Sequence, residues 1–318
     1  MKPQRREFLR ALAAGATALS LPRTAFSQAG PTASKLSDTK LTDTKLTDTK
    51  LTDSVTLISG AGNNVVAVKG DSGSLLVDCG DAAHAQDVLK LTGSVTKVFN
   101  THWHLESTGA NDAMAKAGAK LVSHVNTQLW MTQEIIRDWE KWEKKVFPPR
   151  AKEAQPTETF YTTGKTTFGA EPIEYGLMAM AHTDGDIYVF FPQSNVLAVG
   201  DVIQAARLPM LDFTTGGWIG GMQEAHRTVL RLANDTTKIV PATGPVMTKA
   251  QVQASLDIVT KVRDQLVKLV KSGKGPQDLI DAKAVKEFEG QLSGDPDQFL
   301  FTAYRGIWAH ARELGGVL

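Results

Sequence analysis

Val98-Phe99-Asn100-Thr101-His102-Trp103-His104-Leu105-Glu106-Ser107-Thr108-Gly109 is the stretch whose reading decides the fold. His102 and His104 stand two residues apart, directly after the apolar run Val95-Thr96-Lys97-Val98-Phe99. On a helix, positions i and i+2 point to nearly opposite sides. In an extended segment they fall on one side and can serve one metal. The run reads as a strand, so the pair lies at its C-terminal mouth, with the Glu106 carboxylate two residues further on. Thr108-Gly109-Ala110-Asn111-Asp112 then opens an alanine-rich helix, which Gly118 is placed to end. Strand, His-bearing loop, helix is a common setting for a site in a layered α/β domain.

Working outward, the 318 residues allow one large domain or two smaller ones, and an apolar fraction of 42% is ample for a core. A formal charge of +1 argues against nucleic-acid binding and against a polybasic membrane surface. Cys79 is the single cysteine, so no intramolecular disulfide forms. It reads as a small buried hydrophobe at a strand end.

Residues 1–29 read as a secretory signal peptide. A basic head carrying Arg5-Arg6 precedes the apolar run 11–21, which is too short to span a membrane comfortably. Arg5-Arg6-Glu7-Phe8-Leu9 resembles a twin-arginine export signal, which implies a periplasmic or secreted protein with no integral span in the mature chain. Residues 30–53 carry a five-residue repeat, Leu-Thr-Asp-Thr-Lys, beginning at Leu36, Leu41, Leu46 and Leu51 with small variations. A period of five builds no continuous apolar face on a helix or a strand, so this segment reads as a tether.

The folded part begins near Val55. Val55-Thr56-Leu57-Ile58-Ser59, Asn64-Val65-Val66-Ala67-Val68-Lys69 and Ser74-Leu75-Leu76-Val77-Asp78 read as strands separated by glycine-rich turns. Residues 82–91 read as a helix, 120–124 as a strand with a packing or capping His124, and 126–147 as one long helix holding Trp130, Trp139 and Trp142. Strands follow around Phe160, Phe168 and Tyr175. His182 sits in a turn before the strand Ile187-Tyr188-Val189-Phe190-Phe191, and Asp201 ends the strand Asn195-Val196-Leu197-Ala198-Val199-Gly200. The loop 205–222, with two glycine pairs, reads as mobile. Ile239-Val240-Pro241-Ala242-Thr243-Gly244-Pro245 runs from a strand into a tight turn. The remainder reads as helices near 249–272, 275–291 and 297–315, with His310 a surface or packing residue.

His102-x-His104-x-Glu106, then His182, Gly200-Asp201 and Pro241-Ala242-Thr243-Gly244, resembles the metallo-β-lactamase superfamily. The resemblance implies a four-layer αβ/βα sandwich over residues 54–248, with the helical 249–318 as an extension packed on it. It implies that His102, His104 and His182 bind one metal, with Asp201 as a further ligand. Asp78 matches the strand-end aspartate that supports the metal loop. Three positions depart from the family pattern. Glu106 stands where Asp is usual, Ser107 where His is usual, and Thr243 where the turn's His is usual. Neutral hydroxyls are not usual zinc ligands, so the second metal site is degraded and one Zn2+ is expected.

Three imidazoles with an open position suit catalytic zinc. The implied function is hydrolysis of a small-molecule ester, lactone, amide or thioester by a zinc-activated water, with Glu106 or Asp201 orienting it and taking its proton. The second reading is a non-catalytic metal- or partner-binding protein that keeps the fold. A third, iron redox chemistry, is disfavoured by the missing second-site ligands.

Overall fold

The computed structural model describes residues 45–178, 180–204, 207–288 and 292–310. Residues 1–44, on which the signal-peptide reading and the first part of the repeat fall, lie outside them.

Strands β1 (Thr47–Lys50), β2 (Val55–Ala61), β3 (Asn63–Gly70) and β4 (Gly73–Val77) pair antiparallel in that order. β5 (Val95–Phe99) and β6 (Lys120–His124) continue the sheet in parallel. The crossovers are α1 (Ala85–Thr92), then α2 (Leu105–Thr108) and α3 (Asn111–Lys116). After α4 (Val125–Met131) comes a hairpin of β7 (Ile135–Asp138) and β8 (Lys144–Phe147), and β9 (Glu158–Phe160) completes a seven-stranded sheet beside β6. β10 (Thr163–Phe168), β11 (Glu171–Leu177), β12 (Ile187–Phe191), β13 (Val196–Gly200) and β14 (Lys238–Pro241) form the second sheet, with only the last pair parallel. Helices α5 (Ile219–Leu232), α6 (Lys249–Lys271), α7 (Pro276–Asp281) and α8 (Pro296–Ala309) follow.

Side-chain alternation sets the layers. Val66, Val68, Leu75 and Val77 meet Val189, Phe191, Val196 and Ala198 between the sheets. Their neighbours Val65, Ala67 and Leu76 turn outward under α1 and α3, against Val88 and Met114. Leu197 and Val199 turn the other way, against Met222 and Val229 of α5 and Val259 and Leu266 of α6. The result is helix, sheet, sheet, helix. Each such apolar side chain contributes about 1.5–3 kcal/mol on burial. The C-terminal helices share the α5 core, which Phe299 and Ile307 of α8 also enter.

Several expectations are corrected. The tether ends before residue 53, because Thr47–Lys50 pairs with β2 from Thr47↔Ser59 to Lys50↔Thr56. All four side chains are exposed, and the ladder bonds are main-chain, so the side-chain pattern carries no sign of them. The long helix 126–147 does not form. Its second half alternates buried Ile135 and Arg137 with exposed Ile136 and Asp138, which is strand periodicity. The three tryptophans therefore share no face. Trp139 stacks on Phe213, Trp142 lies against Phe301, and Trp130 Nε1 donates to Asp184 at 2.7 Å.

The glycines of 205–222 serve packing. A Cβ at Gly217 would strike the His182 carbonyl, and one at Gly221, already inside α5, would strike that of Met180. The helix expected over 275–291 is short, giving way after Asp281 to a single 3-10 turn at Lys286–Phe288. Cys79 is buried and His124 caps α4, accepting from Asn126 N. His310 stacks on Trp218 with ring centroids 4.6 Å apart.

Candidate metal centre

Asp78 ends β4 in the left-handed region, φ +57°. Its Oδ1 accepts from Thr101 N at 2.8 Å and its Oδ2 from Thr101 Oγ1 at 2.7 Å. That spends the only proton on Thr101 Oγ1. Toward His102 Nδ1, 3.0 Å away, the same oxygen can only accept. His102 is therefore protonated on Nδ1, and its Nε2 presents a lone pair. Burial foremost, opposed by the Thr101 bonds, pushes Asp78 up to about 7.

His104 precedes α2, and its Nε2 donates to Asp212 Oδ2 at 3.0 Å. The same oxygen takes Arg137 Nη2 at 2.7 Å and Thr215 Oγ1 at 2.7 Å. Burial disfavours the Asp212 anion, yet the His104 bond and the Arg137 charge override it and hold the carboxyl below the usual carboxylate range. Arg137 comes from β7 and also touches His104 Nε2. Its guanidinium lies 4.8–5.0 Å from the ring centroids of Trp103, Trp139 and Phe147. His182 completes the set, with Nδ1 on the Met210 carbonyl at 2.8 Å and its backbone N–H on Asp186 at 2.7 Å. Only a protonated Nδ1 can make the first of these bonds.

Each outer nitrogen is thus committed, and His102 Nε2, His104 Nδ1 and His182 Nε2 turn inward. His104 Nδ1 and His182 Nε2 face each other at 2.9 Å, and His102 Nε2 is buried without a partner. Burial first, then neighbouring positive charge, holds His102 and His104 well below the usual histidine range, which favours the neutral rings a metal ligand needs. Three converging ring nitrogens, buried but with a half-exposed carboxylate beside them, fit a metal ion.

Two carboxylates complete the surroundings. Asp201 Oδ2 is 3.5 Å from His102 Nε2 and 3.9 Å from His182 Nε2. Glu106 Oε1 is 3.6 Å from His104 Nδ1, on a half-exposed side chain. Burial, then the Asp201 charge, raises Glu106 above its ordinary value. His102, Glu106 and Asp201 form a second group whose ligand atoms lie within 4.8 Å of one another, as do those of the three histidines. Ser107 and Asp201 are joined by Asn63, whose Nδ2 donates to Ser107 Oγ at 2.8 Å and to Asp201 Oδ2 at 3.3 Å. Asn63, Arg137 and Asp212 carry no sequence motif and were not anticipated.

The family model of the metallo-beta-lactamase superfamily matches residues 59–244, more than half of the chain. The chain belongs to the metallo-β-lactamase superfamily. A curated relative, a metallo-beta-lactamase type 2 from Bacillus sp. (strain 170), is 22% identical over 170 residues. That match takes in 54% of this chain and only 60% of the relative's length. Among solved structures, a metallo-beta-lactamase from Pontibacter korlensis superposes with a TM-score of 0.55 at 19% identity, over 68% of this chain and 99% of its own. The stereoselective inverting sec-alkylsulfatase Pisa1 from Pseudomonas sp. gives a TM-score of 0.60 at 14% identity, over 83% of this chain and 50% of its own. Residues 1–248 alone could not supply that 83%, so this match runs into the C-terminal helices. At such identities the likeness shows the fold alone. The superfamily consists largely of metal-dependent hydrolases and usually binds zinc.

Proposed function

We propose that this protein is an exported hydrolase that holds one Zn2+ on His102, His104 and His182 and cleaves an ester, lactone, amide or thioester of a small molecule. The observation that carries the reading is the convergence of three ring nitrogens, their outer partners fixed, beside two carboxylates. A bound Zn2+ would lower the pKa of a water and polarise the substrate carbonyl. The chain supplies the rest. Asp201, near both His102 and His182, orients the attacking water. Glu106 reaches in from the solvent side and takes its proton, and a carboxyl raised by burial and by Asp201 suits a group that must accept a proton and release it again. Asp78, through Thr101, and Asp212 hold the His102 and His104 rings in the tautomers a metal needs.

A single metal is favoured by what stands at the second-site positions. The Asn63 amide offers its hydrogens to Ser107 and Asp201, giving the carboxylate a neutral partner in place of a cation. Export rests on the Arg5-Arg6 head and the short apolar run. Among the described residues, no helix is long and apolar enough to cross a membrane.

The test is metal analysis together with a substrate panel of esters, lactones, a β-lactam, amides and thioesters, with a sec-alkyl sulfate added because of the structural relative. About one equivalent of zinc is expected, with turnover lost to chelator and restored by zinc. Tightly bound metal without turnover on the whole panel would replace this reading with a non-catalytic metal- or partner-binding role.

A further inference from the structure

A cavity of about 390 Å³ lies between α5, α6, the loop after β13 and the turn after β14. It falls within the usual range for small-molecule sites. Its walls are apolar, built from Val202, Leu208, Ile219, Ile258, Val262 and Phe299 among others. Most of the polar groups that line it are paired within the protein. His226 Nδ1 donates to the Met222 carbonyl, so Nε2 accepts from Ser255 Oγ at 3.0 Å. Gln251, exposed at the start of α6, has its Oε1 held by the backbone N–H of Thr248. Two further groups bear on what the cavity could hold. Gln204 donates from Nε2 to Asp201 Oδ1 at 3.4 Å, but its Oε1 is buried with no partner. Arg207 is exposed on the rim and has no ion-pair partner among the described residues.

We propose that this cavity binds an anionic amphiphile, its apolar chain among the α5 and α6 side chains and its singly charged head on Arg207. Charge complementarity selects the head. One unpaired guanidinium stands at the mouth of a chamber whose other polar groups are nearly all spent, and guanidinium pairs well with carboxylate-like anions. The apolar walls select the chain, since each buried methylene contributes about 0.8 kcal/mol. Gln204 joins this wall to the metal centre through its bond to Asp201. The site does not depend on the hydrolase reading, because no wall residue is a candidate metal ligand.

Decanoate is the probe, titrated calorimetrically into the full chain both zinc-loaded and chelator-treated. One molecule should bind in both forms, with decanol binding more weakly. Arg207→Gln should weaken decanoate about tenfold and leave decanol unchanged. Val262→Phe, which fills the floor, should weaken both. Ala254→Trp, at an exposed position on the rim, should do the same with little burden on folding, and melting curves would confirm that each variant is folded. Vesicles of phosphatidylglycerol form a second arm. Sedimentation abolished by Ala254→Trp would assign the chain to a bilayer lipid, and its absence would assign it to a free amphiphile. Decanoate binding that is absent, that is lost with the metal, or that survives both cavity variants would overturn the proposal. Loss of turnover with decanoate binding intact would count against the hydrolase reading only.

Discussion

A histidine is a defined metal ligand only when its other nitrogen is taken, and here three different partners take it: Thr101 backed by Asp78, Asp212, and the Met210 carbonyl. Asp212 is the most exposed to test because it is charged and also holds Arg137. Asp212→Asn keeps the shape and removes the charge, and zinc affinity measured against a chromophoric chelator should fall about 10–100-fold. Glu106→Gln should behave oppositely. The three histidines already supply the usual protein share of a catalytic zinc site, so metal content should stay near wild type while turnover falls roughly 10²–10⁴-fold. If zinc is lost together with turnover, Glu106 is a ligand. Unchanged turnover at full metal content would leave Asp201 as the proton acceptor. The Asn63 bridge makes a third prediction. Ser107→His alone should still bind one equivalent of zinc, and Ser107→His with Asn63→Ala should take up a second, read by elemental analysis after dialysis. A single equivalent in the double variant would mean that Asn63 does not set the metal count. The His102–His104 pair could be picked out from its spacing after a strand, and His182 and Asp201 joined it only through the resemblance to the superfamily. Arg137, Asp212 and Asn63 could not be read from the sequence, because each acts through a contact between segments far apart in sequence, the Asn63–Asp201 bond spanning 138 positions.

At the level of elements, pattern alone located the central strands, where alternating apolar residues face two different cores, and the first C-terminal helix, whose Thr248 cap only the structure shows. It failed where a main-chain ladder or a packing constraint decides. The exposed strand β1 owes its existence to the free edge of β2, and the β7–β8 hairpin is anchored by Arg137, which packs on Trp103 from the loop after β5 as well as on the hairpin's own Trp139 and Phe147. The first turn of helix α5 holds Gly220 and Gly221, which lower helix propensity, and Gly221 allows close approach to Met180 just before His182. The α5–α6 contact contains His226, and burial pushes this ring down to about 4. The unfolded ring has a pKa near 6.5, so the unfolded chain binds more protons between those values. Stability is therefore present above about pH 6.5 and is lost as pH falls toward 4. The loss attributable to His226 should be about 2 kcal/mol at pH 5. Denaturant unfolding of wild type and His226→Gln at pH 7 and pH 5 isolates it. The variant starts less stable but should lose less between the two pH values, and equal losses would show that His226 does not carry the effect.

On the scale of the whole molecule, the candidate ligands come from both sheets. His102 and His104 follow β5 in the first, while His182 and Asp201 lie in loops of the second. The apolar interior holds the sheets together along their length. At the C-terminal ends of β5 and β13 the contact is instead between the His104 and His182 rings, whose Nδ1 and Nε2 turn toward one another at 2.9 Å across the position a metal would take. A cation there ties the two halves together, whereas the unfolded chain has no preformed site. Zinc should therefore stabilise the entire fold by mass action, by about 2.7 kcal/mol when free zinc stands at a hundred times Kd. For a domain of 150–250 residues each kcal/mol moves Tm by roughly 2–4 °C, so chelator should lower Tm by about 5–10 °C, as one transition rather than two. His102→Ala and His182→Ala change ligands on opposite sheets, and each alone should abolish most of the zinc-dependent rise. A zinc-dependent rise that survives His182→Ala would confine the metal to the first sheet's loop. A Tm indifferent to chelator in wild-type protein known to have held zinc would mean that the two sheets are already joined as tightly without it.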